Sequence, residues 1–201
     1  MKKKTFLLAL AAMTMLLAAC SGVMDSKQPA RQVYMLTPYS GAADTANPVQ
    51  GPELSISISA VPGLDTDRVL ALSNDARLNQ YANARWPDHL PEVLTSIMKR
   101  SLMSAGRFSS VEESNRASGD GWLLVLEVQQ FYGIRSASGD TSTVNVEMAG
   151  SIECNDLRYS FTLFGSSPVA DERLSAVVAA HQRGLDDVTA QLLDQINETC
   201  S

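Results

Sequence analysis

The first twenty residues constrain this chain more than any other stretch. Met1 is followed by Lys2, Lys3 and Lys4. An apolar run then extends from Phe6 to Leu17, broken only by Thr14, and ends in Ala18, Ala19 and Cys20. A positive start, a short apolar core and a small-residue exit make a secretory signal. The core is too short for an ordinary membrane span, which takes about 20 apolar residues. The chain beyond the signal is therefore expected to fold outside the cytoplasm.

The stretch Leu17-Ala18-Ala19-Cys20 resembles the lipobox of bacterial lipoproteins, where the peptidase cuts just before the cysteine. That resemblance implies diacylglycerol on the Cys20 sulfur and a fatty acyl group, such as palmitate, on the new amine. One acyl chain holds a protein only marginally, at about 0.8 kcal/mol per buried methylene, so several chains make departure very slow. Residues 1–19 are thus read as the lipoprotein signal peptide and 20–32 as a lipidated tether. Residues 33–201 are read as one domain. The residue after the cysteine is Ser21. In enterobacterial lipoproteins an Asp there favours inner-membrane retention, so by analogy Ser21 implies the outer membrane, facing the periplasm.

Cleavage before Cys20 leaves 182 residues, enough for one domain with a real core. The signal carries three lysines and no acid, so the formal charge moves from −6 to −9. That balance argues against nucleic acid as a partner and against a basic face held on anionic lipid. With Cys20 consumed by lipid, Cys154 and Cys200 remain as a pair in an oxidising compartment, and a disulfide is the natural reading. A metal site is disfavoured. Only His89 and His181 are available beside the cysteines, with no zinc-like spacing. No cofactor is implied.

Val33–Thr37 reads as a short strand stopped by Pro38, and Tyr39–Pro52 as a loop. Leu54–Ser59 alternates apolar and polar residues, the mark of a strand with one buried face, and breaks at Pro62-Gly63. Val69–Leu72 and Arg77–Tyr81 read as a hairpin around Ser73-Asn74-Asp75. Asp88 is the expected N-cap of a helix, with Pro91 in the first turn. Leu90, Leu94, Ile97, Met98 and Leu102 give it one apolar face, ending near Gly106. Val111 marks a short edge strand.

Trp122–Tyr132 is apolar enough for a central strand buried on both faces over part of its length. Val144–Cys154 and Tyr159–Leu163 alternate and are joined by an Asn155-Asp156 turn, completing an antiparallel meander. A final helix is expected from about Val169 to Asn197. Its buried stripe includes Leu174, Val177, His181, Leu185, Val188, Leu192 and Ile196. Gly184 within it signals close packing or a bend. The fold class is α+β, with two main amphipathic helices packed on one face of an antiparallel or mixed sheet.

No catalytic constellation emerges. There is no G-x-S-x-G elbow, no phosphate-cradling glycine loop and no H-E-x-x-H. His89 reads as a solvated residue near a helix start and His181 as a hydrogen-bonded core histidine. Asp65-Thr66-Asp67 and Asp186-Asp187 read as solvated acids. Trp86 reads as a staple onto the core, with a ligand-stacking platform as the alternative.

Taken together, several features resemble one family. These are the lipobox, Tyr34-Met35-Leu36, the strand ending Val61-Pro62-Gly63-Leu64, the Val69 and Leu78–Tyr81 strands, and Arg85-Trp86 opening the helix. The chain resembles the ABC-type transport auxiliary lipoproteins, which include the lipoprotein subunit of the paraquat-inducible Pqi system. Pro87 departs from the small or acidic residue expected there. The resemblance implies a non-enzymatic subunit of an intermembrane lipid transport system. Its implied partners are a mammalian-cell-entry-domain protein that bridges the periplasm, an ABC permease and an ATPase. Tyr81, Arg85 and Trp86 are the expected partner contacts. A ring-shaped partner would be matched by an oligomer of this chain. The competing readings are a structural or assembly lipoprotein, such as a pilotin, and an envelope hydrolase using His89 or His181.

Overall fold

The computed structural model describes residues 30–41, 51–136 and 138–200. The signal, Cys20, the tether as far as residue 29 and the loop 42–50 lie outside the described residues. The elements are β1 (Gln32–Val33), β2 (Glu53–Ala60), β3 (Arg68–Leu72), β4 (Leu78–Arg85), α1 (Leu90–Ser104), β5 (Ser110–Glu113), β6 (Trp122–Arg135), β7 (Thr141–Cys154), β8 (Leu157–Pro168) and α2 (Leu174–Thr199). The eight strands among the described residues belong to one mixed sheet, so the fold is α+β.

The apolar run in β6 makes it the axis of that sheet. One of its edges is shared end to end by two parallel neighbours. β2 pairs with its first half, from Leu54↔Trp122 to Ala60↔Val128. β3 pairs near its end, at Ala71↔Gly133 and Leu72↔Ile134. Its other edge carries β7, antiparallel along nearly its full length, and β7 in turn carries β8. Outside β2 lies β5, parallel; outside β3 lies β4, antiparallel, with β1 beyond it. The Asn155-Asp156 turn takes positive φ at both residues, 53° and 63°. Asn and Asp tolerate this better than other non-glycine residues, and it matches the twist of the hairpin.

Period-two alternation sets the two faces. Ile56, Leu124, Leu126, Val146, Met148 and Ile152 are fully buried beneath the helices. Ser57, Glu127, Asn145, Ser151, Ser160 and Thr162 fall on the other face by register. One apolar and one polar face is the expected form for a sheet covered on a single side. α1 packs on β2 and β5, and α2 on β7 and β8. α2 lies very close to the sheet where two glycines meet. A Cβ on Gly165 would sit 2.5 Å from the Gly184 carbonyl oxygen, and one on Gly184 would sit 2.9 Å from Val146 Cγ2.

Several boundaries differ from the sequence expectation, each for a local reason. β1 is two residues long: the Tyr34 N–H still donates to the Arg85 carbonyl at 2.8 Å, and the chain then leaves the sheet to meet the helices. Gln182 grips Thr37 there by both its N–H and its C=O, at 2.8 and 3.0 Å. The α1 N-cap is His89, not Asp88; Asp88 accepts a hydrogen bond from the His89 N–H instead. The Leu90 N–H is satisfied by the Thr66 carbonyl at 3.1 Å. α2 starts at Leu174, not Val169. β8 runs on through Gly165-Ser166-Ser167 to Pro168, and Val169 still donates to the Ser142 carbonyl. Cys154 and Cys200 are joined as a disulfide with Cα atoms 5.9 Å apart, so the end of α2 sits against the end of β7.

Candidate docking site

Tyr81, Arg85 and Trp86 lie on or just beyond β4, where the chain turns into α1. The pairing of β4 with β3 slips between Gln80 and Arg85, with Asn83 at a φ of 60°, and beyond that bulge Ala84 and Trp86 face inward and Arg85 outward. Trp86 faces inward and is 2 % exposed. Its ring meets Phe131 edge-on at 5.7 Å and His181 at 5.3 Å. It therefore offers no surface to a partner, and its expected role as a contact is corrected. The Trp86 backbone N–H donates to the Asp67 carbonyl at 2.8 Å.

Arg85 is outside this cluster. Its guanidinium pairs with the Asp67 carboxylate, which also meets Arg68 Nε at 3.2 Å. Burial pushes the Asp67 carboxyl up, but the Arg85 hydrogen bond and the charges of Arg85, Arg68 and His89 outweigh it and hold it below the usual value. Beside them His89 Nδ1 lies 2.9 Å from Asp65 Oδ1. That hydrogen bond, with the charges of Asp65, Glu92 and Asp88, raises the His89 pKa. Tyr81 is half-buried. Its hydroxyl bonds Thr141, and Arg135 lies 5.4 Å from its ring centroid. The three expected contacts thus divide into one core residue and two surface residues held in separate polar contacts.

His181 is fully buried. Its Nδ1 lies 3.0 Å from the Val177 carbonyl, whereas Nε2 has no partner. The Phe131 carbonyl is close enough to favour a proton there but is not in hydrogen-bonding geometry. Burial dominates and pushes the pKa down to about 4. The imidazole is neutral at pH 7 and enclosed by Trp86 and Phe131, so it has no access to a substrate. No group of three or more His, Cys, Asp or Glu side chains stands together as a metal site among the described residues. No helix among them is long and apolar enough to cross a membrane.

The surface features that sequence reasoning missed lie on β8. Phe164 is 46 % exposed, and its backbone is gripped by Gln191 of α2. The alternation that buries Leu163 and Gly165 carries the signal for an outward Phe164.

A model of the ABC-type transport auxiliary lipoprotein component family matches residues 34–193. The chain belongs to that family. The match spans every element from the end of β1 to within two turns of the end of α2, so it covers both helices and both faces of the sheet. The fold of this auxiliary lipoprotein is shared by solved structures. Protein XCC0632 from Xanthomonas campestris, of the DUF330 family, is 20 % identical with a TM-score of 0.67, over 84 % of this chain and 100 % of that one. A further structure, described only as an uncharacterized protein, is 13 % identical with a TM-score of 0.62, over 83 % of this chain and 99 % of that one. At these identities the likeness is one of fold. No curated protein matches the sequence.

Proposed function

We propose that this auxiliary lipoprotein is a non-enzymatic, outer-membrane-anchored subunit of an intermembrane lipid transport system. It docks or supports a mammalian-cell-entry-domain protein that spans the periplasm between an ABC permease and the outer membrane. The observation that carries this reading is the family match over residues 34–193, on a chain that opens with a lipobox ending in Cys20. The tether from Cys20 holds the domain at the periplasmic surface of the membrane. Arg85 and Tyr81, the two surface members of the expected contact set, are the residues assigned to the partner. The disulfide between Cys154 and Cys200 suits the same oxidising compartment.

The test is affinity purification of the lipidated protein from detergent-solubilised envelopes, with mass spectrometry of its companions. Recovery of an entry-domain protein with its permease and ATPase supports the reading. Recovery of a secretin or a porin instead replaces it with an assembly-factor role. Cys20→Ala is expected to release the protein from the membrane fraction.

A further inference from the structure

We propose that the free half of the β8 edge is a docking site for an extended, lysine- or arginine-bearing segment of a partner protein, which adds to the sheet as a further strand. This goes beyond the transport reading and concerns a surface other than Arg85 and Tyr81.

Among the described residues β8 pairs only with β7, so its other side is an edge. Val169 donates to Ser142 at 2.9 Å, which places the odd-numbered residues of β8 on the β7 side of the ladder. The even-numbered residues therefore turn their N–H and C=O outward. At Phe164 and Pro168 that edge is engaged by side chains of α2. Gln191 Oε1 accepts from the Phe164 N–H at 3.3 Å, and its Nε2 donates to the Phe164 carbonyl at 2.9 Å. Arg183 donates to the Pro168 carbonyl at 2.6 Å.

From Leu157 to Leu163 the edge is open. Among the described residues no side chain serves the outward backbone groups of Arg158, Ser160 and Thr162. The usual defences of an edge are lysine, proline, a bulge or a covering helix. This run has no lysine or proline, and the β7–β8 register is unbroken from Cys154↔Leu157 to Thr143↔Pro168. An incoming strand would find main-chain partners at three outward residues. One row of its side chains would lie beside Ser160, Thr162 and the exposed Phe164, the other beside the part-buried Tyr159 and Phe161.

Charge selects the occupant. α2 runs antiparallel beside β8, with Arg183 at Pro168 and Gln191 at Phe164. Eight helical residues advance about 12 Å, and four strand residues about 13 Å, so the two stay level. Arg183, Asp187, Gln191 and Glu198 share one flank by their spacing. Seven residues past Gln191, Glu198 comes alongside the open run. No Lys or Arg follows Arg183 to the end of the chain. At the start of β8, Asp120, Glu153 and Asp156 line an open recess of about 640 Å³ with Arg158. Arg158 is itself spent on Glu153, at 2.7 Å from Nε to Oε1. A second copy would press this acidic flank against its own like; a basic strand complements it.

The test titrates the intact lipoprotein in detergent with a short peptide of alternating lysine and valine. The glutamate–valine counterpart is the control. Fluorescence anisotropy reads binding, and amide exchange reads protection at Arg158, Ser160 and Thr162. Ser160→Pro removes an outward N–H, which an edge strand tolerates, and should weaken binding about tenfold. Glu198→Gln should weaken it about threefold, with a shallower salt dependence. Thr162→Lys adds a repelling cation without altering the backbone, so it serves if the proline variant misfolds. Equal binding of the two peptides, indifference to both edge variants, or protection elsewhere overturns the proposal. So does a self-dimer that Ser160→Pro dissolves while the lysine peptide fails to bind. The envelope purification would still recover the transporter in those cases if the transport reading holds.

Discussion

The two helices cover the same face of one sheet but are held to it differently. α1 rests on β2 and β5 chiefly through apolar side chains, among them Leu94, Met98 and Leu102, all fully buried. Its start, like that of α2, has no side-chain cap, and among the described residues its one side-chain bond to neighbouring backbone runs from the Tyr39 N–H to Ser101 Oγ at 2.9 Å. α2 is clamped to backbone. Gln182 grips Thr37, Gln191 grips Phe164, Arg183 bonds Pro168, and Arg107 bonds the Cys200 carbonyl at 3.0 Å. Gly165 and Gly184 add a near-contact of main chains, and the disulfide closes the end. An apolar stripe decides which side of a helix faces down. Directional bonds to neighbouring backbone also decide where along the sheet it stops. α2 has both, and it is the helix that sets which part of the β8 edge is engaged.

The largest expected effect comes from opening the α2 end. The Cys154–Cys200 crosslink spans a sequence separation of 46. In the chain-entropy model that is worth about 4 kcal/mol. Replacing both cysteines by serine, or reducing the wild type, should lower Tm by about 10 °C. Differential scanning calorimetry reads this. An unchanged Tm would mean that α2 is held by its polar clamps alone.

Acid should be the next strongest perturbation. His181 is held neutral by burial, with a pKa of about 4 against 6.5 for the ordinary group. The unfolded chain therefore binds a proton that the folded chain refuses between those values. The His181 contribution is full above pH 6.5, falls as pH drops towards 4, and amounts to a loss on the order of 3 kcal/mol across that window. Urea melts at a series of pH values measure the slope. His181→Met fills the site without an unpaired nitrogen and should flatten it. A slope that persists in the variant would place the titrating group elsewhere.

Gly165→Ala tests the near-contact itself. The added methyl meets Gly184 backbone at 2.5 Å, where no side chain can move aside. A cost of about 1–3 kcal/mol is expected. Gly184→Ala should cost less, because Val146 can shift and alanine favours the helix. Equal costs would show that α2 has room to rise from the sheet.

Much of this asymmetry is legible in the sequence, and the rest is hidden for identifiable reasons. The meander, the buried stripe of α2 and its Gly184 follow from apolar spacing alone. The end of β8 does not, because Gly165-Ser166-Ser167-Pro168 has the composition of a turn. Gly165 among them allows the close approach to α2, which only the partner Gly184 explains. β3 and β2 sharing one edge of β6 is a long-range arrangement that no local period encodes. Trp86 fits its sequence reading as a staple onto the core and not the one as a partner contact. Its neighbour Arg85 has the outward position, since alternation along β4 makes only one of the two available. Gln182 and Gln191 read as ordinary helix-surface residues, and nothing in their spacing reveals that each clamps a single backbone residue.

The smallest expected effect lies at the start of α1. Asp67 joins Arg85 and Arg68 beside the turn whose Thr66 carbonyl caps the helix. Asp67→Asn keeps the shape and removes the charge. Its side chain is 27 % exposed and that of Arg85 21 %, so solvent screens the pair. The loss should be about 1 kcal/mol or less, against several for the α2 changes. Its pH signature is distinct as well. The Asp67 pKa is lowered from 3.8 by its cationic neighbours. Its contribution is therefore present above 3.8 and is lost as pH falls through the lower folded value. The His181 window closes near 4, just where the Asp67 window opens. Acid melts should show two successive losses, with the second smaller in Asp67→Asn but not abolished, because Asp171, held at about 2 by its hydrogen bonds from Arg173, titrates in the same range. A variant that loses the first step instead would mean that the corner beneath α1 and the core beneath α2 open together, and the two helices would then not be separately held.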